Sequence, residues 1–90
     1  MERLEIDQEL KQICNEIIKL NLSLVDWKKR ESDDIFQTQN YEGGFDAIEE
    51  AFCFSYYDKS KKEYFLQFPL NDVKKILNGD INYIKIFPSS

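Results

Sequence analysis

Hydrophobic residues fall along this chain in alternating helix-like and strand-like stretches. Ile6, Leu10, Ile13, Ile17 and Leu20 recur at spacings of four, three, four and three, one stripe of an α-helix, widened by Cys14 and Ile18. Glu2, Glu5, Asp7 and Glu9 gather where the aligned peptide dipoles favour anions, and Lys19 sits near the other end. Asn21 suits the left-handed residue that closes such a helix. The pattern predicts a helix over residues 3–20. Residues 22–30 read two ways. Ser23 and Asp26 have the spacing that caps a short helix carrying Leu24 and Trp27, whereas Leu20, Leu22 and Leu24 alternate as in a strand. The short helix is favoured, and the charged run through Lys28, Lys29, Arg30, Glu31, Asp33 and Asp34 marks an exposed end.

Ile35 to Tyr41 reads as a weak, polar strand that Gly43-Gly44 ends in a turn. Asp46, three residues before Glu49, has capping-box spacing and predicts a short helix carrying Ile48, Ala51 and Phe52. The strongest β signal follows. Phe52–Tyr57 and Tyr64–Phe68 are dense in aromatics and flank a polar loop, Asp58 to Glu63, as in an antiparallel hairpin. Setting Tyr57 opposite Tyr64 puts Ser55 opposite Leu66 and Cys53 opposite Phe68, which leaves both faces partly apolar. Pro69 ends the second strand. Leu70, Val73, Ile76 and Leu77 follow helical spacing to Asn78-Gly79, and Tyr83–Phe87 reads as a last strand before a frayed tail, 88–90. The whole predicts one compact α+β domain, residues 1–90. A long N-terminal helix packs on a small, mostly antiparallel sheet of three to four strands, and a second short helix lies between the last two strands.

Composition adds scale. Ninety residues, 42% hydrophobic, with seven Phe, five Tyr and one Trp, argue for a packed core and against disorder. Seventeen acidic side chains against twelve basic ones give a net charge of −5. That field repels a phosphate backbone, so nucleic acid is a disfavoured partner, while a basic protein is not. Cys14 and Cys53 make no disulfide framework and look like small buried hydrophobes. With neither a secretory leader pattern nor an apolar run of about 18 residues, the expectation is a cytoplasmic protein with no membrane partner.

Candidate chemistry is thin. The chain has no histidine, which removes imidazole acid–base catalysis and the commonest nitrogen ligand for zinc. Gly43-Gly44 lacks the spacing of a phosphate loop. Glu42, Asp46, Glu49 and Glu50 form a dense acidic group, read first as helix capping and solvation, next as a contact for a basic partner, and last as a divalent-metal or hydrolytic site. Cys53, between Phe52 and Phe54, has no activating neighbour. The hairpin aromatics suit core packing better than base stacking. Trp27 and Arg30 are residue types that dominate interface energetics, although a tryptophan closing the core edge explains Trp27 more simply.

The reading is therefore a small acidic domain that acts by binding a protein, in the manner of an inhibitor, an immunity-like protein, an adaptor or a regulatory subunit. It assigns no catalytic residue, no metal and no cofactor. Candidate partner-binding residues are Trp27, Arg30, Glu42, Asp46, Glu49, Glu50 and Tyr56. Self-association fits too, because a homodimer conceals aromatic surface that a small monomer exposes. The alternatives are a small hydrolase dependent on carboxylates and a divalent metal, and a single-stranded nucleic-acid module reading through the hairpin aromatics.

Overall fold

A computed structural model describes residues 2–30 and 36–89. In chain order the elements are β1 (Glu2–Glu5), α1 (Gln8–Leu20), α2 (Leu24–Lys29), β2 (Phe36–Gln37), β3 (Tyr41–Asp46), β4 (Ala51–Tyr57), β5 (Glu63–Phe68), α3 (Leu70–Asn78) and β6 (Tyr83–Pro88). The strands form one antiparallel sheet in the order β1-β6-β5-β4-β3-β2. The fold is α+β with an N-terminal helix, but among the described residues its sheet has six strands, which overturns the expected three to four.

The two additional strands were hidden by ambiguous signals. Glu2 to Glu5 looks like the acidic start of a helix, yet α1 begins later, where the Asp7 carboxylate accepts the Leu10 N–H at 3.0 Å. The freed segment pairs with β6, placing Arg3 opposite Lys85 and Glu5 opposite Tyr83. Gly43-Gly44 is no turn either; it lies inside β3. A Cβ on Gly43 would collide with the Cys53 carbonyl oxygen and sit 2.7 Å from Phe54 Cα, so the glycine lets β3 approach β4 closely. The expected helix after Asp46 is instead the four-residue connection 47–50. Its signal was physical but misassigned: Asp46 Oδ1 accepts the N–H groups of Ile48 at 2.8 Å and Glu49 at 3.1 Å, capping a hairpin turn that Glu50 closes at φ 54°. The weak strand expected over 35–41 divides into β2 and the start of β3 around Gln39-Asn40, and Ile35 lies outside the described residues. So do residues 31–34, expected as an exposed end.

The β4–β5 hairpin is shifted by one residue from the expected register. Tyr57 pairs with Glu63, Tyr56 with Tyr64, Phe54 with Leu66 and Phe52 with Phe68. The loop is thus Asp58 to Lys62. Asp58 Oδ1 accepts from Ser60 N at 2.8 Å and Lys62 N at 2.9 Å, and Lys61 takes the left-handed conformation at φ 64°. A one-residue slip exchanges the faces of every side chain. Here it gathers Phe52, Phe54, Tyr64, Leu66 and Phe68 on one side, where all of them are buried.

Helices α1, α2 and α3 cover that side. Leu10, Ile13, Cys14 and Ile17 of α1, Trp27 of α2, and Val73 and Ile76 of α3 join the strand residues in one core. Asn21 at φ 50° and Gly79 at φ 82° close α1 and α3. Ser23 and Asp26 cap α2 reciprocally. Tyr41 Oη donates to Asp7 Oδ2 at 3.0 Å, and the Asn40 N–H donates to Glu9 Oε1 at 3.0 Å, which fastens β3 to the start of α1. At the far side β6 pairs with β5 through Tyr64–Pro88 and Phe65–Phe87. Pro88 ends the strand and Ser89 N donates to the Glu63 carbonyl at 3.1 Å, so residues 88 and 89, expected as tail, continue the sheet.

Candidate protein-binding face

Strand alternation sends every second side chain away from the helices, and those residues make an open face across the sheet. Glu42 pairs with Ser55, Ser55 with Phe65, and Phe65 with Phe87, so one row crosses four strands. The next row sets Gly44 beside Cys53 and Cys53 beside Gln67. Phe65 is 48% exposed, Phe87 47% and Tyr83 51%. Glu42, Cys53, Ser55, Phe65, Gln67 and Phe87 line a shallow concavity of about 730 Å³. Large rings left half in water in the middle of a sheet are the chief anomaly of this surface, since rings of the same type on the other side are buried.

Charges rim the face. Its β3 flank carries Glu42 and Asp46, with Glu49 in the adjoining turn, while its β6–β1 flank is mixed, with Lys85 and Arg3 as direct cross-strand neighbours and Glu5 beside them opposite Tyr83. Arg3 lies 5.0 Å from the centre of the Tyr83 ring, a cation–π contact. Glu63, on the middle strand, accepts from Ser89 Oγ at 3.1 Å and Tyr57 Oη at 3.4 Å, and hydrogen bonds from Ser55, Ser89 and Tyr57 hold its carboxyl below the ordinary range. The Cys53 thiol is pushed up, first by burial and then by the charges of Asp46 and Glu49, so it stays protonated and weakly nucleophilic. Its sulfur lies 3.7 Å from Gln67 Oε1. Both cysteines are free thiols.

The seven candidate residues do not converge. Trp27 is 1% exposed, its ring 5.1 Å from Phe52 and 5.9 Å from Phe45, and its Nε1 meets no acceptor among the described residues. Arg30, at the end of α2, stacks its guanidinium 5.7 Å above that ring. Tyr56 points to the helix side beside Tyr41 and Tyr64, its phenol raised by burial and by Asp7 and Asp58. Glu50 is held in an ion pair with Lys28 Nζ at 2.6 Å. Asp46 is engaged by its turn, and Glu49 is exposed beside it. Of the seven, Glu42 alone lies in the concavity. Among the described residues no three acids or thiols gather closely enough to hold a metal ion. The residues that sequence reasoning passed over are Phe65, Phe87 and Tyr83. For Phe65 the signal was the five-residue loop length, which fixes the parity of the β4–β5 hairpin; Phe87 and Tyr83 share its face through the Phe65–Phe87 pairing, which no local signal announces.

No protein family, curated protein or solved structure matches this chain. Among the described residues no helix is long and apolar enough to cross a membrane.

Proposed function

We propose that this protein works by binding another protein, as an inhibitor, adaptor or regulatory subunit does, without chemistry of its own. The open face of the sheet is the binding surface. The observation that carries this reading is the half-exposed cross-strand pair Phe65–Phe87, joined by Tyr83 on the same face. Aromatic side chains supply large buried area at small cost in conformational entropy, and they concentrate the energy of interfaces. The surrounding polar groups, Glu42, Ser55, Gln67 and Lys85, form the rim such a surface needs. A nucleic acid is a poorer occupant, because the chain carries −5 net charge and Glu42, Asp46 and Glu63 share the face. The hydrolase alternative gains little from carboxylates strung along β3 and its turn, two of which serve the turn and an ion pair. A cytoplasmic location belongs to the same reading, since two unbridged thiols suit a reducing compartment.

Site-specific photo-crosslinking inside the native cell tests the proposal. A benzophenone side chain at position 65 or 87 is expected to capture a defined protein species, and the same group at Lys74, exposed on the outer side of α3, is not. Equal adducts from both sides, or none from the open face, would overturn the assignment.

A further inference from the structure

The concavity on the open face has a shape that follows from side-chain size. Cys53 and Ser55, the outward residues of β4 within it, are small and form its floor. On one side stands Glu42 of β3, paired with Ser55, and on the other Phe65 of β5, also paired with Ser55 and backed by Phe87. The result is a trough along β4 with one carboxylate wall and one aromatic wall. Glu42 is the one charged residue among the described residues that line it, and it enters no ion pair among them. At one end Tyr57 and Glu63 stand opposite each other. The Tyr57 phenol is pushed up first by the charge of Glu63 and further by that of Glu42, so both carboxylates bear on the same end of the trough.

We infer that the partner occupies this trough with an extended, arginine-bearing segment of its chain, an inference that rests on reading the open face as the binding surface. The walls belong to strands two apart, about 9.6 Å from each other. A cation midway between them stands about 5 Å from the ring, inside cation–π range, with a carboxylate in reach on its other side. Arginine suits both walls at once, since its planar guanidinium stacks on an aromatic ring and donates paired hydrogen bonds to a carboxylate. A trough one side chain wide admits a strand-like segment, whose alternate side chains point down into it, but not a helix about 10 Å across. Five strand spacings of about 4.8 Å and six residues at about 3.4 Å give a face of roughly 480 Å². That is short of the ~800 Å² per partner in stable complexes of folded proteins, and it suits a segment. Across the whole face Glu5, Glu42, Asp46 and Glu63 outnumber Arg3 and Lys85, so a cationic occupant is complementary. A second copy would bring the same excess of acid.

Amide NMR titration of the full chain with a short synthetic peptide, in which arginine and leucine alternate with threonine, tests the occupant. Binding with a Kd below about 1 mM is expected, with the largest shifts at Cys53, Ser55 and Phe65. The same peptide with citrulline for arginine keeps the shape without the charge and should bind about tenfold more weakly. Glu42→Gln should weaken the arginine peptide by about tenfold as well. Phe65→Leu keeps apolar surface but removes the ring, and should weaken it by about fivefold. The variants' own spectra report that they are folded. Equal affinity for the two peptides, indifference to Glu42→Gln, or no binding at about 1 mM would overturn the inference. Mapping the adduct formed from position 65 in the cell separates this inference from the reading beneath it. An adduct on an arginine-bearing segment, lost in Glu42→Gln, supports both. If the adduct joins a segment with no arginine, or a second copy of the chain, the binding face stands and the cationic occupant does not. If no adduct forms, both fall.

Discussion

The two faces of this sheet are built from the same strands and the same residue types, yet they have opposite fates. On the covered face Phe52 and Phe54 stack against Phe68 with ring centres 5.7 and 5.8 Å apart, and Trp27 meets Phe52 edge-on. On the open face Phe65 and Phe87 are neighbours in the ladder, and each keeps nearly half of its surface in water. Aromatic content therefore says little about core size until the register is known. The largest expected effect follows from that contrast. Phe54→Ala should cost about 3–5 kcal/mol, because it empties a packed site that the surroundings cannot fill. Phe65→Ala, measured in solution dilute enough to hold the monomer, should cost less than about 1 kcal/mol. Urea unfolding of both variants gives the comparison, and equal losses would show that the open face belongs to the monomer's core.

How far the faces were legible in the sequence depends on the range of the interaction that fixes each element. Local signals read well. The α1 stripe, the Asn21 closure, the Ser23–Asp26 cap and the Leu70–Gly79 helix each rest on neighbours a few residues apart. Signals that depend on a distant strand did not. Glu2 to Glu5 has one apolar residue, Leu4, and becomes a strand because β6 offers it a ladder. Gly43 is needed because β4 lies against it, and no residue near it in sequence says so. Asp46 shows the limit most clearly: its carboxylate bonds the expected N–H groups, but an Asx-type turn and a helix cap use the same bonds. At the candidate site, Glu42 was identified for its charge, whereas Phe65 and Phe87 were passed over because one residue of register separates the inside from the outside.

Alkaline titration sharpens the comparison at intermediate size. Burial pushes the Cys14 thiol from an ordinary 9.0 up to about 12, and burial together with the Asp7 carboxylate raises the Tyr41 phenol above its ordinary 10.0. Both belong to the covered side. In the unfolded chain each releases its proton near its ordinary value, while the folded chain retains it. Stability is therefore fully present below about pH 9 and falls as the pH rises toward the folded values. Each retained proton contributes a slope of about 1.4 kcal/mol per pH unit. Unfolding free energies measured from pH 8 to 11 should decline, first through Cys14 and above pH 10 through Tyr41 as well. Cys14→Ala should lower the starting stability but flatten the decline by one proton. On the open side, Cys53 should react with a soluble thiol reagent while Cys14 in the folded protein stays protected, and equal labelling rates would contradict the assignment of faces.

The smallest expected effect concerns the loop that sorts the two faces. Asp58 to Lys62 makes a five-residue connection, and its odd length is what places Tyr56 opposite Tyr64 and Phe65 on the open side. The Asp58 carboxylate organises the loop through two backbone N–H groups, but Lys61 must adopt φ 64°, a conformation in which a side chain crowds its own backbone. Glycine carries no such penalty, although it gives the unfolded chain more freedom. The two terms oppose each other, and Lys61→Gly should raise stability by about 0.5 kcal/mol. Thermal unfolding is sensitive enough to read that change. A loss of stability instead would mean that the lysine side chain holds the loop, and the register would then owe as much to Lys61 as to Asp58.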